Sequence, residues 1–428
     1  GKHRKKWIVF QKIFVPHDEV WGMEETMKKN NKKPWIILAL CCGLAASSIG
    51  VSINSSGVFY TPVSESLHMM RGTFSMHMTI FSLVTAITSL FVPRLMEKFS
   101  YKMILTVSVF TAVVSTGLMA LGNSAIVFYI LGAIRGMSTA MFSIVPLTLV
   151  INGWFEKKHG LATSIVFGFS GLAGSICSPI LSSCIETFGW QMGYIIKAII
   201  LLCLCLPAVL YPFHVDARDD GYLPYGYEEK KENDVSVESP TFHFITVAFI
   251  SFFVFGLMCS CITSVTQHLP GFAESIGYSS VVGASLLSAG MVGNIISKLV
   301  IGTLSDHFGS IKATIVMIIA NTLGIVMLMM GKSELLLLVG AFLFGSCYSI
   351  GAVALPLLTK HFFGSDNYAK AFPSISFASN LGAAISLSMV GYIYDFFGSY
   401  MYAFMIALIM IALAVLLLAI TSTFTKQH

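Results

Sequence analysis

Residues 290–312 read GMVGNIISKLVIGTLSDHFGSIK. Lys298 follows about two dozen uncharged residues, and Asp306 closes the apolar run shortly after it. A stretch of roughly 20 apolar residues is what a helix needs to cross a hydrocarbon core about 30 Å thick. A lone ammonium inside such a helix costs about 2.5–3.5 kcal/mol on insertion scales. Two questions follow: whether the whole chain lives in a membrane, and what offsets that lysine.

The chain has 428 residues, 55% hydrophobic and only 11% charged, with a mean hydropathy of +0.79. Soluble domains carry roughly 25% charged residues, so this chain lacks the polar surface that a soluble fold of its length would need. Apolar runs of membrane-crossing length recur along it. Where no water reaches the backbone, only helices or closed barrels satisfy every amide and carbonyl. These runs are too long and too uniformly apolar for barrel strands of alternating polarity. The sequence reads as an all-α membrane protein.

The nine cysteines all fall in apolar runs, and the Cys203/Cys205 and Cys259/Cys261 pairs point about 200° apart on a helix, which defeats joint ligation. No histidine spacing completes a zinc set, so no metal or other cofactor is expected. Enzyme motifs are absent from the sequence: there is no phosphate loop, nucleotide fingerprint or HExxH. GFSGL at 168–172 lacks the closing glycine of a nucleophile elbow and sits in an apolar run. No enzyme activity and no nucleic-acid partner are expected.

Apolar runs between charges and turn residues predict twelve spans, at roughly 35–60, 72–93, 103–122, 125–152, 160–185, 190–212, 242–270, 278–303, 312–331, 334–360, 370–394 and 398–423. The predicted division is a basic tail at 1–34, a six-span half at 35–212, a linker at 213–241, a second half at 242–424 and a tail at 425–428. Met27 followed by KKNNKKPW reads as a conventional start, so residues 1–26 are expected to lie outside the fold. The linker, with DARDDGYLPYGYEEKKEND at 216–234, has the composition of a solvated segment. Lys28, Lys29, Lys32, Lys33, Arg94, Lys98, Lys102, Lys157, Lys158, Arg218, Lys230, Lys231, Lys312, Lys360, Lys370 and Lys426 collect on the linker side, against Arg71 and Lys332 on the other. That bias predicts cytoplasmic termini and a cytoplasmic linker, and it accounts for the net charge of +5 without an anionic macromolecular partner.

The two halves repeat. Residues 154–190 align with 361–399 at an offset of about 208, which places Gly132 on Gly340 and Gly174 on Gly382. PRLMEKFSYK at 93–102 aligns with GTLSDHFGSIK at 302–312, allowing a one-residue gap. Parallel six-span repeats around a linker are an organisation of secondary transporters.

GTLSDHFGSIK resembles the loop between spans 8 and 9 of the major facilitator superfamily, whose G-x-L-x-D-x-x-G-x-x-K positions are filled by Gly302, Asp306, Gly309 and Lys312. The matching loop after span 2 is altered. Pro93, Glu97 and Ser100 stand at the Gly, Asp and Gly positions, and Arg94 and Glu97 supply its charges. RGMSTAMFSIVP at 135–146 resembles the fourth-span R-G…P pattern. Within the superfamily, GVFYTPVSESL at 57–67 and WFEKKHGLATSIVFGFSGLAG at 154–174 resemble segments of the monocarboxylate and oxalate–formate transporter families.

The resemblance implies the major facilitator fold of twelve helices in two pseudo-symmetric halves, with both halves rocking around a midplane site. It implies a plasma-membrane carrier, a monomer, that moves a small organic anion such as a monocarboxylate, with a coupling proton or counter-substrate as a further partner. Those families carry a span-8 cation, and Lys298, four residues before Gly302, takes its place. The sequence departs from them in three places. Asn294 stands where proton-coupled members have Asp, Asn54 where they have a span-1 lysine, and span 11 has no internal lysine. A carrier of a neutral or cationic solute, and a non-transporting receptor or scaffold, remain as alternatives.

Arg135, Lys197 and Lys298 are the cations inside predicted spans, and no Asp or Glu lies centrally in any span. An anionic substrate is the simplest counter-ion for Lys298. The competing explanation is snorkelling, because the lysine lies about 12 Å by helical rise from Asp306. Gly290, Asn294 and Lys298 recur every fourth residue, as a cavity-facing stripe would. Arg135 is either a substrate contact or a structural arginine bonded to span-1 carbonyls. Asn54 is placed to bond a carboxylate or another helix, and Tyr60 and Tyr348 either shape a cavity or pack helices. Lys197 and His77 read as interfacial residues near the outer ends of their spans, and Gly168, Gly171 and Gly174 as close-packing positions.

Overall fold

The computed structural model describes residues 32–228 and 241–425. The predicted extension at 1–26 falls outside that set. The described chain is built from helices because each apolar run must satisfy its own backbone. In order they are α1 Lys33–Phe59, α2 Arg71–Ser89 with a continuation at Val92–Lys98, α3 Tyr101–Leu121, α4 Ala125–Trp154, α5 His159–Phe188 and α6 Trp190–Leu210. The second half has α7 Val247–Thr266, α8 Ser280–Phe308, α9 Ser310–Met330, α10 Glu334–Phe363, α11 Ser365–Phe397 and α12 Met401–Thr425. Ten of these are long and apolar enough to cross a membrane, and the bent α2, turning by 52° beside Pro93, makes an eleventh. The 33-residue α11 is about 50 Å long at 1.5 Å per residue. Its Ser374, Ser376, Ser379, Asn380 and Ser386 make it more polar than the rest.

Several helices overrun the apolar runs that predict them. α8 continues through Asp306 to Phe308, and α11 begins at Ser365, several residues before its apolar run. A helix ends where its hydrogen bonding is interrupted, not where the hydrocarbon stops. At Gly309 the interruption is a left-handed turn, φ +89°, that lets α9 start at once. The repeat-related Ser100 solves the same turn differently: its backbone is extended and its hydroxyl caps α3 by accepting from Met103 N. That is the physical content of the altered loop.

Packing follows the repeat. α2 lies on α4 as α8 lies on α10, and α1 lies on α5 as α7 lies on α11. The halves meet where α5 packs on α8 and where α2 packs on α11, two contacts that the repeat interchanges. Gly132 and Gly136 let α4 rest on the carbonyls of His77 and Phe81, 2.7 and 2.5 Å from where their Cβ atoms would be. The outer faces present Val107, Phe110, Ile199, Ile409 and Leu416, exposed as lipid contact requires.

Two spans turn π-helical, which the sequence reading does not anticipate. α1 is π-helical over Ala46–Asn54 and 3-10 over Ser56–Phe59, and α10 is π-helical over Ile350–Ala354. In α1 the hydroxyls of Ser52, Ser55 and Ser56 donate to the carbonyls of Ser47, Val51 and Ser52 at 2.9, 2.5 and 2.6 Å. Gly50 is meanwhile pressed against Ser170 O and the Ala173 methyl on α5. Local back-bonding and a close neighbour together loosen the helix, as π-segments at functional sites often show.

The linker is not solvated throughout as its composition suggests. Its first part folds back on the first half and joins the α4–α5 turn. Trp154 Nε1 donates to His214 O at 2.9 Å, Tyr225 N to Trp154 O at 2.8 Å, and Glu156 N to Tyr225 O at 3.0 Å. Lys33 pairs with Asp220 at 3.4 Å and lies 4.2 Å from the Tyr222 ring centroid. Residues 229–240 lie outside the described set.

Burial raises the Asp220 carboxyl, but hydrogen bonds from His214 and the charge of Lys33 outweigh it and hold the group below its usual range. Stability from a depressed carboxylate is present above its unfolded pKa and is lost as pH falls through the folded value. The strap should therefore hold at neutral pH and loosen below about pH 4. Asp220→Asn should loosen it at pH 7 by about 1 kcal/mol, read as faster tryptic cleavage after Arg218 with unchanged helix content. Equal cleavage rates would show that the pair does not hold the strap.

Candidate functional site

Between the two halves lies a cavity of about 690 Å³. Its wall is contributed by Asn54 on α1, Gly171, Gly174 and Ser175 on α5, Ser260 and Thr263 on α7, Asn294 and Lys298 on α8, Tyr348 and Gly351 on α10, and Ser379 and Asn380 on α11. Ile49, Ile144, Leu287 and Ile295 supply apolar surface between these groups. Both register breaks border it, α1 through Ile49 and Asn54 and α10 through Gly351 and Ala352. The glycines of α5 create the space. Gly168 and Gly171 face Leu299 and Ile295 of α8, and Gly174 faces Asn54, whose Cβ would lie 2.7 Å from a Cβ placed at Gly174.

Lys298 is 4% exposed and lines this cavity. Among the described residues no hydrogen bond or ion pair engages its ammonium. Snorkelling would carry it to the membrane edge; its place in the cavity wall does not. Asn294, one turn earlier, is 3% exposed, and its Oδ1 has no hydrogen-bond partner among the described residues. Its Nδ2 has only a 4.0 Å contact to Met291 Sδ. Asn54 opens to the cavity and reaches Ser170 O at 3.5 Å, a bond at the limit of length. Gly290, which shares the sequence stripe, does not line the cavity; it packs against Thr266.

The structure thus brings together Lys298, Asn294, Asn54 and Tyr348. Arg135 is elsewhere, 1% exposed inside the first half, with Nε donating to Thr116 Oγ1 at 3.1 Å and the guanidinium 5.5 Å from the Phe81 ring centroid. That bond goes to α3. Tyr60 begins the short helix Tyr60–Ser66, and its side chain lies outside the described set. Lys197 and His77 are each 1% exposed, so neither is interfacial. The sequence reading did not single out Ser260, Ser379 and Asn380. The polarity of SISFASNLG on α11 is the signal that marks them, and the Ser260–Ser379 hydroxyl contact of 2.5 Å ties α7 to α11 there.

Toward the linker side Asp306 joins α8 of the second half to α5 of the first. Its two carboxylate oxygens accept from Gly160 N and Leu161 N, each at 2.8 Å. These amides open the 30-residue α5 and have no acceptor within the helix. The carboxylate also meets the positive end of the helix dipole. Backbones touch beside it: a Cβ at Gly302 would overlap the Ser164 hydroxyl and the Gly160 carbonyl oxygen. Gly302 and Asp306 of α8 thus meet the start of α5 at one place, while Gly309 makes the turn into α9. Lys312, Arg94 and Glu97 are exposed and outside this clamp. Glu97, the repeat mate of Asp306, borders a separate cleft of about 540 Å³ with Lys360 and Asp366.

The family model for the Major Facilitator Superfamily matches residues 40–333 and 249–427. Similar proteins include YcxA of Bacillus subtilis, an uncharacterized MFS-type transporter 24% identical over 66% of this chain and 68% of its own length. YhjX of Escherichia coli, also an uncharacterized MFS-type transporter, is 23% identical over 78% of this chain and 82% of its own. Monocarboxylate transporter 12 of Xenopus laevis is 22% identical over 68% of each chain. Among solved structures, the transporter FucP in its outward conformation superposes with a TM-score of 0.67 at 15% identity, over 91% of this chain and 98% of its own.

Asp306→Asn keeps an acceptor but removes the charge from the α5 amides. It should weaken the clamp by about 1.5–3 kcal/mol, which raises the open fraction tenfold or more. Hydrogen exchange at Gly160 and Leu161 should speed up accordingly. Unchanged protection would show that helix packing alone closes this end.

Proposed function

The chain belongs to the major facilitator superfamily, and from that premise we propose that it is a secondary carrier of small organic anions, monocarboxylates foremost. One observation carries this reading: the buried, cavity-lining ammonium of Lys298 with no anionic partner among the described residues. An ammonium in a low-dielectric cavity is stabilised most by a carboxylate that arrives with its own charge to neutralise. Asn294 stands where an aspartate would compete for that role, and the amides of Asn294 and Asn54 are placed to bond the anion's oxygens. A single cavity cation favours a singly charged substrate. The resemblance to monocarboxylate carriers supports the same class.

Transport would proceed by alternating access. The α5–α8 and α2–α11 contacts are interchanged by the repeat, so rocking the halves can open one end while closing the other. In this conformation Asp306 joins the halves toward the linker side, which supports reading it as the gate at that end. By the lysine and arginine bias that side is proposed to be cytoplasmic, in the plasma membrane, with residues 35–212 and 242–424 as the moving halves joined through 213–241. The carrier is proposed to act as a monomer.

Lys298→Gln should weaken carboxylate binding by about 1.5–3 kcal/mol, roughly tenfold or more in Kd, without loss of insertion. Lys298→Arg exchanges a compact donor for a planar fork and should keep part of the affinity. Counterflow in proteoliposomes and thermal shift against a carboxylate panel read both. Unchanged carboxylate affinity in Lys298→Gln would remove the basis of the anion reading and favour a neutral solute.

A further inference from the structure

The wall of the substrate cavity carries more hydrogen-bonding groups than one carboxylate can use. Glycines on α5 seat two carboxamides a turn apart. A Cβ placed at Gly171 would lie 3.9 Å from Asn294 Nδ2, and one at Gly174 would lie 3.1 Å from Asn54 Nδ2. These amides come from α8 and α1, so both halves contribute here, and Lys298 follows Asn294 by one turn. A second polar group gathers around Gly351 on α10. A Cβ there would lie 3.8 Å from both Ser260 Oγ on α7 and Ser379 Oγ on α11, whose hydroxyls are 2.5 Å apart. Asn380 follows on α11 and borders the same cavity, and among the described residues no hydrogen bond engages its amide.

An ionised carboxylate only accepts hydrogen bonds. It can take the ammonium of Lys298 and the amide nitrogen of an asparagine, but it offers nothing to an amide oxygen. Each carboxamide presents an acceptor as well as a donor, whichever way it is turned. Asn294 Oδ1, on a buried residue and without a hydrogen-bond partner among the described residues, shows that demand most plainly. Water can serve such oxygens in an empty cavity, and a ligand that displaces it without replacing its bonds loses affinity. A well-matched ligand therefore brings donors besides its carboxylate. An ammonium is the wrong donor, because no Asp or Glu lines the cavity among the described residues and an unpaired charge is costly there. A hydroxyl donates and accepts at once, which suits the amides and the serine pair alike. The volume of about 690 Å³ falls among pockets of roughly 300–1,000 Å³ that enclose drug-sized ligands. It has room for a chain of several hydroxylated carbons, and Ile49, Leu287 and Ile295 suit the C–H faces of that chain.

We propose that the substrate is a polyhydroxylated monocarboxylate, a sugar acid. Its carboxylate pairs with Lys298, and its hydroxyls bond Asn54, Asn294, Asn380 and the Ser260–Ser379 pair. The inference deepens the anion-carrier reading above and rests on it. Lys298 selects the charge of the substrate, and the amides and serines select its hydroxyls. The serine pair is the specificity-determining element, because it comes from α7 and α11 and not from the helix of the lysine.

The test uses the full chain, with thermal shift for affinity and counterflow in proteoliposomes for transport. The probes are gluconate, glucuronate, lactate, hexanoate and neutral gluconamide. Hexanoate matches gluconate in charge and carbon number but has no hydroxyls, so its apolar chain would win in a cavity that reads only charge and apolar surface. Gluconate or glucuronate should be transported and should bind at least about tenfold more tightly than hexanoate or lactate, the factor for roughly one buried polar group left unsatisfied. Gly351→Ala sets a methyl against both serine hydroxyls at ordinary contact distance, and it should lower the gluconate-to-hexanoate affinity ratio about tenfold. Ser379→Ala removes one hydroxyl, should lower the same ratio, and carries the readout if Gly351→Ala does not insert. Hexanoate or lactate bound as tightly as the sugar acids, in a manner that Lys298→Gln weakens, overturns the sugar-acid inference and leaves the anion carrier standing. A ratio unchanged in both variants overturns it as well. Gluconamide bound as tightly as gluconate, or no acid bound at all, overturns the anion reading and this inference with it.

Discussion

The carboxylate of Asp306 on the first amides of α5 is the contact from which the rest of the arrangement follows. It joins the two halves at one end by satisfying donors that no helix can satisfy for itself. Gly160 and Gly302 let the backbones come close enough for the carboxylate to reach. α5 and α8 both border the cavity between the halves. The repeat offers a second site of the same kind, where Glu97 borders a cleft with Lys360 and Asp366.

The cavity exists because several helices there are imperfect. A regular α-helix buries its backbone and offers only side chains to a ligand. The π-helical parts of α1 and α10 loosen that ladder where both border the cavity. Glycines on α5 remove side-chain bulk at the same level, and α11 gives up apolarity to supply hydroxyls and an amide. Each feature weakens a span as a membrane helix. They are tolerated together because the cavity, not lipid, is their neighbour.

Three buried cations show how one chemical property is given separate roles by surroundings. Arg135 is tied to Thr116 and an aromatic face, and its planar donor set suits a fixed place in the packing. Lys298 faces open volume. Lys197 is enclosed by the Ser56 hydroxyl and the Phe59 ring.

Composition alone made this a helical membrane chain, since 11% charge cannot cover a soluble surface, and periodic apolar runs placed the twelve spans within a few residues. GTLSDHFGSIK marked the turn at Gly309 and the acid at Asp306, because a backbone that needs positive φ and a helix end that needs an anion restrict residue type locally. Lys298 and Asn294 were legible for a related reason: a polar group on an apolar helix is conspicuous wherever it points. Which way it points was not. Lys197 and Lys298 look alike in sequence, and only packing against Ser56 and Phe59, or against empty volume, separates them. Ser379 and Asn380 were hidden because a serine in a span is ordinary until helices from both halves enclose it. The docking of the linker, through His214 and Tyr225, on Trp154 and Glu156 depends on contacts across tens of residues, and composition carries no trace of them. Local chemistry fixed the elements, and long-range enclosure decided what each polar side chain faces.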